Sequence, residues 1–270
     1  MTFITKIVLK LYDNQILFFD KKIFCLLFNL RCILTNKIGR IDYDQHEDLY
    51  YEKNSKHYYS KKDRSKLYMH GVKKRAQDLA NAYRINTFKF NENDIIVDCG
   101  ANSGDLINYF KNVNYIAIEA IKHDYKALKL NLKQQKYFNS SSCLNYALWK
   151  TNDEELNFYE YSEGGDSSFY KPIKYNKVFK VKSKKLSSIL DKNKNYKLLK
   201  IDGEGAEPEI LIGAEEIITN FEYITVDCGF ERLGKSTMNE VEKILINKKF
   251  KLIDKGPHKN CLLFKNTNKF

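Results

Sequence analysis

Two groups of residues have the types and spacing to do chemistry. The first is Asp98-Cys99-Gly100-Ala101-Asn102-Ser103-Gly104-Asp105, with Glu119 further on. Asp98 follows the β-branched run Ile95-Ile96-Val97, which suits a strand covered on both faces. Gly100 and Gly104 permit a tight turn and close approach of the backbone to a ligand, so a side chain at Gly100 is expected to intrude on that ligand or to strain the turn. Glu119 ends a second apolar run, Tyr115-Ile116-Ala117-Ile118, about 20 residues after the first acid, the offset of a carboxylate that grips ribose hydroxyls. The second group is Asp202-Gly203-Glu204-Gly205-Ala206-Glu207, joined by Asp227. These acids close two further apolar runs, Tyr196 to Ile201 and Tyr223 to Val226, and are suited to proton abstraction or to holding a cation.

The spacing selects among cofactors. A dinucleotide turn reads G-x-G-x-x-G, because a pyrophosphate must rest on backbone N–H groups at a helix N-terminus. Here the middle glycine is absent, and an acid precedes the turn, which disfavours phosphate and favours a cation. S-adenosylmethionine carries an ammonium and a sulfonium and no phosphate, so it fits this pattern. The competing reading is an ordinary strand-turn-helix unit whose glycines only close the turn.

To bring these residues together the chain must form a parallel sheet. Strands are expected near 95–98, 115–119, 142–148, 196–202, 223–227, 250–254 and 260–264. Helices are expected at about 66–83, 103–111, 124–135, 207–218 and 238–247. The last two strands have no helix between them and should form an antiparallel edge pair. Between the third and fourth strands, the alternating stretch Glu155 to Tyr161, the turn Glu163 to Ser168 and the stretch Val178 to Val181 read as a β insertion, followed by a short helix at Leu186 to Leu190. Residues 1–35 read as helical, and residues 36–64 as polar, Tyr-rich and irregular. The division expected is therefore an N-terminal extension over 1–65 and a domain over 66–270. The fold class is α/β, Rossmann-like, with a mostly parallel seven-stranded sheet and an antiparallel last strand.

Composition narrows the partners. The chain has 270 residues, 19 Tyr, 17 Phe and a formal charge of +12. Lysine is spread along the whole chain without an arginine-rich cluster, so nucleic acid is not the expected partner. Six cysteines lack C-x-x-C spacing and paired histidines, so no zinc site is expected and a reducing cytoplasm fits. The apolar runs Ile16 to Phe19 and Ile23 to Leu30 are split by Asp20-Lys21-Lys22, and neither can span a bilayer. They read as helices packed on the protein, or as a basic, aromatic segment contacting the inner face of a membrane peripherally. His70 and His258 are weak candidates for the site.

The motifs match a known family. The chain resembles the FkbM family of S-adenosylmethionine-dependent methyltransferases. The resemblance rests on Val97-Asp98-Cys99-Gly100-Ala101-Asn102-Ser103-Gly104, Ile118-Glu119-Ala120, Tyr146-Ala147-Leu148 and above all Leu199-Lys200-Ile201-Asp202-Gly203-Glu204-Gly205-Ala206-Glu207. It covers about 94–264 and leaves out the first 90 or so residues. It implies the methyltransferase variant of the doubly wound fold, and a sugar hydroxyl of a polysaccharide, glycolipid or related glycan as acceptor. The cofactor residues expected are Asp98, Gly100, Ala101, Asn102, Gly104, Asp105, Glu119, Ala120, Tyr146, Ala147 and Asp202. The catalytic residues expected are Asp202, Glu204 and Asp227. A divalent cation shared by Asp202 and Asp227 is an open alternative, as is an RNA or protein acceptor, or a membrane-associated scaffold without catalysis. Glu207 reads equally as a helix cap.

Overall fold

A computed structural model describes residues 12, 15–135, 140–160, 168–171, 175, 177–232, 234–257 and 260–268. Most of the turn expected at 163–168, together with Tyr161 and His258, lies outside the described residues. The chain divides into two compact units, 1–75 and 76–270.

The N-terminal unit is built on helix α1 (Lys21–Leu34) and three short antiparallel strands, β1 (Ile41–Asp44), β2 (Leu49–Glu52) and β3 (His57–Tyr59). Asp20 caps α1 by accepting from the N–H groups of Lys22 and Ile23 at 2.9 and 3.1 Å. Phe24, Cys25, Phe28 and Cys32 form its inner face and pack with Ile41, Tyr50 and Tyr59. The three strands correct the expectation of an irregular segment over 36–64. Each strand is only three or four residues long, and Asp48 and Lys56 turn the chain between them in the left-handed region. The tyrosines that looked like loop residues are cross-strand pairs: Tyr50 opposes Tyr59, and Tyr51 opposes Tyr58. A 3₁₀ turn at Lys62–Tyr68 leads to helix α2 (Val72–Ala82), which carries the chain into the second unit.

The second unit contains β4 (Ile95–Cys99), β5 (Asn114–Ile118), helix α3 (Lys122–Lys133), β6 (Ser141–Leu144), β7 (Ala147–Leu148), β8 (Glu155–Glu160), β9 (Lys177–Lys184), β10 (Tyr196–Ile201), helix α4 (Glu207–Gly213), β11 (Phe221–Asp227), helix α5 (Met238–Asn247), β12 (Phe250–Lys255) and β13 (Cys261–Asn266). Seven of these strands form one sheet in the order β12-β13-β11-β10-β4-β5-β6, the doubly wound arrangement that the sequence leads one to expect. β10, β11, β4, β5 and β6 run parallel, and β13 runs against both of its neighbours. The antiparallel pair is where the sequence put it, with one correction. β13 is inserted between β11 and β12, so only β12 is at the edge.

Both faces of the sheet are buried. Val97, Cys99, Leu199 and Ile201 belong to one core, and Ile96 and Leu198 to the other. This is the alternation of a strand covered on both sides. The expected third strand, 142–148, is broken. Its first half joins the main sheet as β6, and Ala147–Leu148 leave it to pair with β9, in a separate sheet of order β7-β9-β8. The helices expected at 103–111 and 186–190 are single 3₁₀ turns, Asp105–Tyr109 and Leu186–Ser188.

Candidate active site at the carboxyl edge of the sheet

Strand register brings the expected site residues into one row. Ile201 pairs with Val226 on one side and Cys99 on the other, Cys99 with Ile118, and Ile118 with Leu144. The next residue on each strand is Asp227, Asp202, Gly100, Glu119 and Asn145. These five follow one another along the carboxyl edge, where open α/β sheets bind ligands.

Gly100 and Gly104 have φ of +72° and +81°, a region that favours glycine. A Cβ at 100 would lie 1.9 Å from the backbone oxygen of Asp202, so the close approach of the two chain segments where β4 and β10 end already requires glycine there. At Gly104 a Cβ would meet Ile107 and Leu128 at 2.7 and 2.8 Å. Ala101 is buried, and Ser103 donates to Asp105 across the turn at 3.3 Å.

Glu119 is buried and accepts from the N–H of Asn102 on one oxygen and of Ile121 on the other, both at 2.8 Å. It therefore ties the first turn to the second. Burial, and behind it the nearby Asp124, pushes its carboxyl up to about 7 against the pull of those two donors. Asn145 donates to the carbonyls of Glu119 and Ala120 at 2.7 and 2.9 Å, fixing the same turn from the third strand. Tyr146 beside it is exposed, and Ala147 is buried in β7.

Asp98 is two residues short of this row, on the strand that ends at Gly100. It pairs in register with Lys200, both on the face that carries Ile96 and Leu198. Its side chain, 1% exposed, meets Lys200 at 2.9 Å and receives the hydroxyl of Tyr115. Lys200 also donates to the Gly100 carbonyl at 2.9 Å and stands 3.8 Å from Asp202. Burial alone would lower its pKa, but the two carboxylates outweigh burial and hold it above the ordinary lysine value. Asp98 thus anchors the turn from within.

Asp202 is 31% exposed on its side chain and accepts the Tyr83 hydroxyl at 2.6 Å. Burial and the charge of Asp202 keep that phenol protonated, hence a donor. Asp227 accepts from the Asn260 amide at 2.8 Å. Burial, then Asp202, then Glu231 push its carboxyl up to about 6. Glu204 follows in a left-handed turn, φ +49°, and its carbonyl accepts from Ser168 at 2.6 Å. Glu207 is a structural tie. It is buried, takes the N–H groups of Gly203 and Gly205 at 3.1 and 2.8 Å, and receives the Thr237 hydroxyl at 2.8 Å. Arg232 completes the turn by donating to the Gly205 carbonyl at 2.8 Å.

Tyr83, Tyr115, Lys200, Asn145 and Asn260 did not stand out in the sequence as site residues. Tyr83 falls on a helical apolar spacing that signals core, and it is core, with its hydroxyl turned to Asp202. Among the described residues no group of three or more His, Cys, Asp or Glu could hold a metal ion. His70 lies in the N-terminal unit.

The donor set fits S-adenosylmethionine. Glu119 spends one lone pair of each oxygen on backbone N–H groups, which leaves acceptor capacity for ribose hydroxyls. Asp202 offers a partly exposed carboxylate to an ammonium.

Residues 98–252, more than half of the chain, match the sequence model described as the methyltransferase FkbM domain. The chain belongs to the FkbM methyltransferase family. As an FkbM methyltransferase it is an S-adenosylmethionine-dependent enzyme. No curated protein matches it by sequence. Solved structures similar to it include a precorrin-6y C5,15-methyltransferase from Geobacter metallireducens, at 12% identity and TM-score 0.42, covering 70% of this chain and 88% of that one. An S-adenosylmethionine-dependent methyltransferase from Aquifex aeolicus has 12% identity and TM-score 0.42, over 71% and 96%. TrmK of M. capricolum, bound to S-adenosylhomocysteine, has 12% identity and TM-score 0.43, over 72% and 69%. At that distance these structures add nothing to the assignment of the FkbM methyltransferase, which rests on the sequence match.

Proposed function

We propose that this enzyme methylates a hydroxyl group of a sugar in a glycan or glycolipid, with Asp227 as the general base. S-adenosylmethionine supplies the methyl group as an electrophile already activated by its sulfonium. The acceptor hydroxyl is a poor nucleophile unless its proton leaves as it attacks, so a base near the operating pH is required. The observation that supports base-assisted transfer to a hydroxyl is Asp227, at the carboxyl edge with its carboxyl raised to about 6 by burial and by neighbouring acids, and the sugar as acceptor is what membership of the FkbM family suggests. In this reading Asp227 takes the proton, Asp202 holds the methionine ammonium, and Glu119 holds the ribose hydroxyls.

Transfer of labelled methyl groups to glycan, RNA and protein fractions tests the acceptor class. The expected result is label in the glycan fraction, lost with Asp227→Asn while cofactor binding by calorimetry persists. Label in RNA or protein alone would overturn the sugar reading. Loss of cofactor binding in Asp227→Asn would overturn its role as base.

A further inference from the structure

Helix α1 is apolar on two opposite faces, and only one of them is used. Phe24, Cys25, Phe28 and Cys32 pack inward. Ile23, Leu26, Leu30, Ile33 and Leu34 are exposed, Leu26 at 68% and Leu34 at 75%. At 3.6 residues per turn these five fall within a stripe of roughly 120°, as wide as the buried face of an ordinary surface helix. Phe18, 90% exposed, and Phe19 precede the helix, and Ile38 follows it, also exposed. An exposed apolar stripe of this width marks an interaction site.

Charge decides between occupants. Residues 1–75 carry sixteen Lys and Arg against eight Asp and Glu, a net +8 of the chain's +12. Lys22, in the first turn of α1 itself, is exposed on the flank of this stripe. A second copy of this unit would bring two strongly positive bodies together, whereas an anionic lipid surface meets both the charge and the apolar stripe. The helix is too short to cross a bilayer, since 14 residues span about 21 Å against a hydrocarbon core of about 30 Å. No helix among the described residues is long and apolar enough to do so.

We infer that the N-terminal unit docks on an anionic membrane surface, with α1 lying in the interface plane and its outward stripe, Ile23, Leu26, Leu30, Ile33 and Leu34, sunk among the lipid headgroups. This inference is independent of the acceptor.

Co-sedimentation of the full chain with phosphatidylcholine vesicles, with and without phosphatidylglycerol, tests it. The chain should pellet with the anionic vesicles, less so as salt is raised, and not with phosphatidylcholine alone. Leu26→Asp with Ile33→Asp should weaken vesicle binding by about tenfold or more, since two apolar side chains are withdrawn from the interface. The milder pair Leu26→Gln and Ile33→Gln should act in the same direction, and an unchanged urea midpoint shows that the fold is intact. Three results would overturn the inference: wild type that ignores anionic vesicles, folded variants that bind as wild type does, or a wild-type dimer in sedimentation equilibrium that the same variants dissolve.

Discussion

Lys200 stands between two aspartates on adjacent parallel strands, and the two live differently. Asp98 lies 2.9 Å from it, 1% exposed and held by Tyr115 as well. Asp202 lies 3.8 Å from it, 31% exposed, with Tyr83 on its inner oxygen. The difference is two residues along the strands. Asp98 pairs across from Lys200 inside the sheet, and Asp202 follows the last paired residue of β10. One acid is enclosed in an ion pair inside the sheet, and the other reaches the carboxyl edge partly exposed. In the sequence both have the type and place of a ligand-facing acid.

The largest effect should come from the open side of the comparison. Asp227→Asn should lower turnover by about 10²–10⁴-fold, the range for a lost general base, with little change in unfolding free energy. In the wild type the rate should climb as pH rises through about 6, because only the ionised Asp227 accepts a proton. A pH–rate profile flat from 5 to 8 would remove it from the chemistry.

The sealed side should show itself in stability. Lys200→Met leaves Asp98 charged and buried without its partner, at a cost of about 3–5 kcal/mol in urea unfolding. Removing both charges, Asp98→Asn with Lys200→Met, should recover much of that loss. Asp202→Asn should cost less, about 1 kcal/mol, because the side chain is partly open to solvent and the amide oxygen can still accept the Tyr83 hydroxyl. Equal losses at Lys200 and Asp202 would erase the distinction between the two acids.

Glu119 combines both roles, and its effect should be intermediate. Glu119→Gln should weaken S-adenosylmethionine binding by about 1.5–3 kcal/mol, the range for hydrogen bonds to a charged group. The sign of its pH dependence follows from a carboxyl raised from 4.5 to about 7. Its contribution to stability is complete below 4.5 and is lost as pH rises through about 7, while cofactor affinity rises over the same interval as the carboxylate forms. Calorimetry at pH 6 and pH 8 measures the second trend, and Glu119→Gln should flatten it. The smallest change should be Tyr83→Phe, which removes one hydrogen bond to Asp202 worth about 1 kcal/mol and should reduce kcat/KM by less than about tenfold.

How far the sequence could be read follows from the range of the forces involved. Strand runs such as Ile95 to Val97, and the turns after them, are local and were legible, as was the block from Lys200 to Glu207. The tie between Asp98 and Lys200 was not, because it joins residues about a hundred apart and depends on register. Glu207 showed the reverse: its type and place suggested an even choice between cap and ligand, and burial with three donors makes it a tie. The N-terminal strands escaped because three-residue segments carry almost no periodicity, and their tyrosine pairs exist only once the hairpins close.

The insertion of β13 between β11 and β12 has a consequence for how the protein is made. A nascent chain that has emerged through Lys255 holds β11 and β12, which do not touch. Until Cys261–Asn266 arrive, β11 presents a bare edge next to Asp227, and β12 has no partner at all. The edge that carries Asp227 therefore closes late in synthesis. A chain interrupted before 261 would expose two sticky edges at once, the kind of species that chaperones hold and proteases clear.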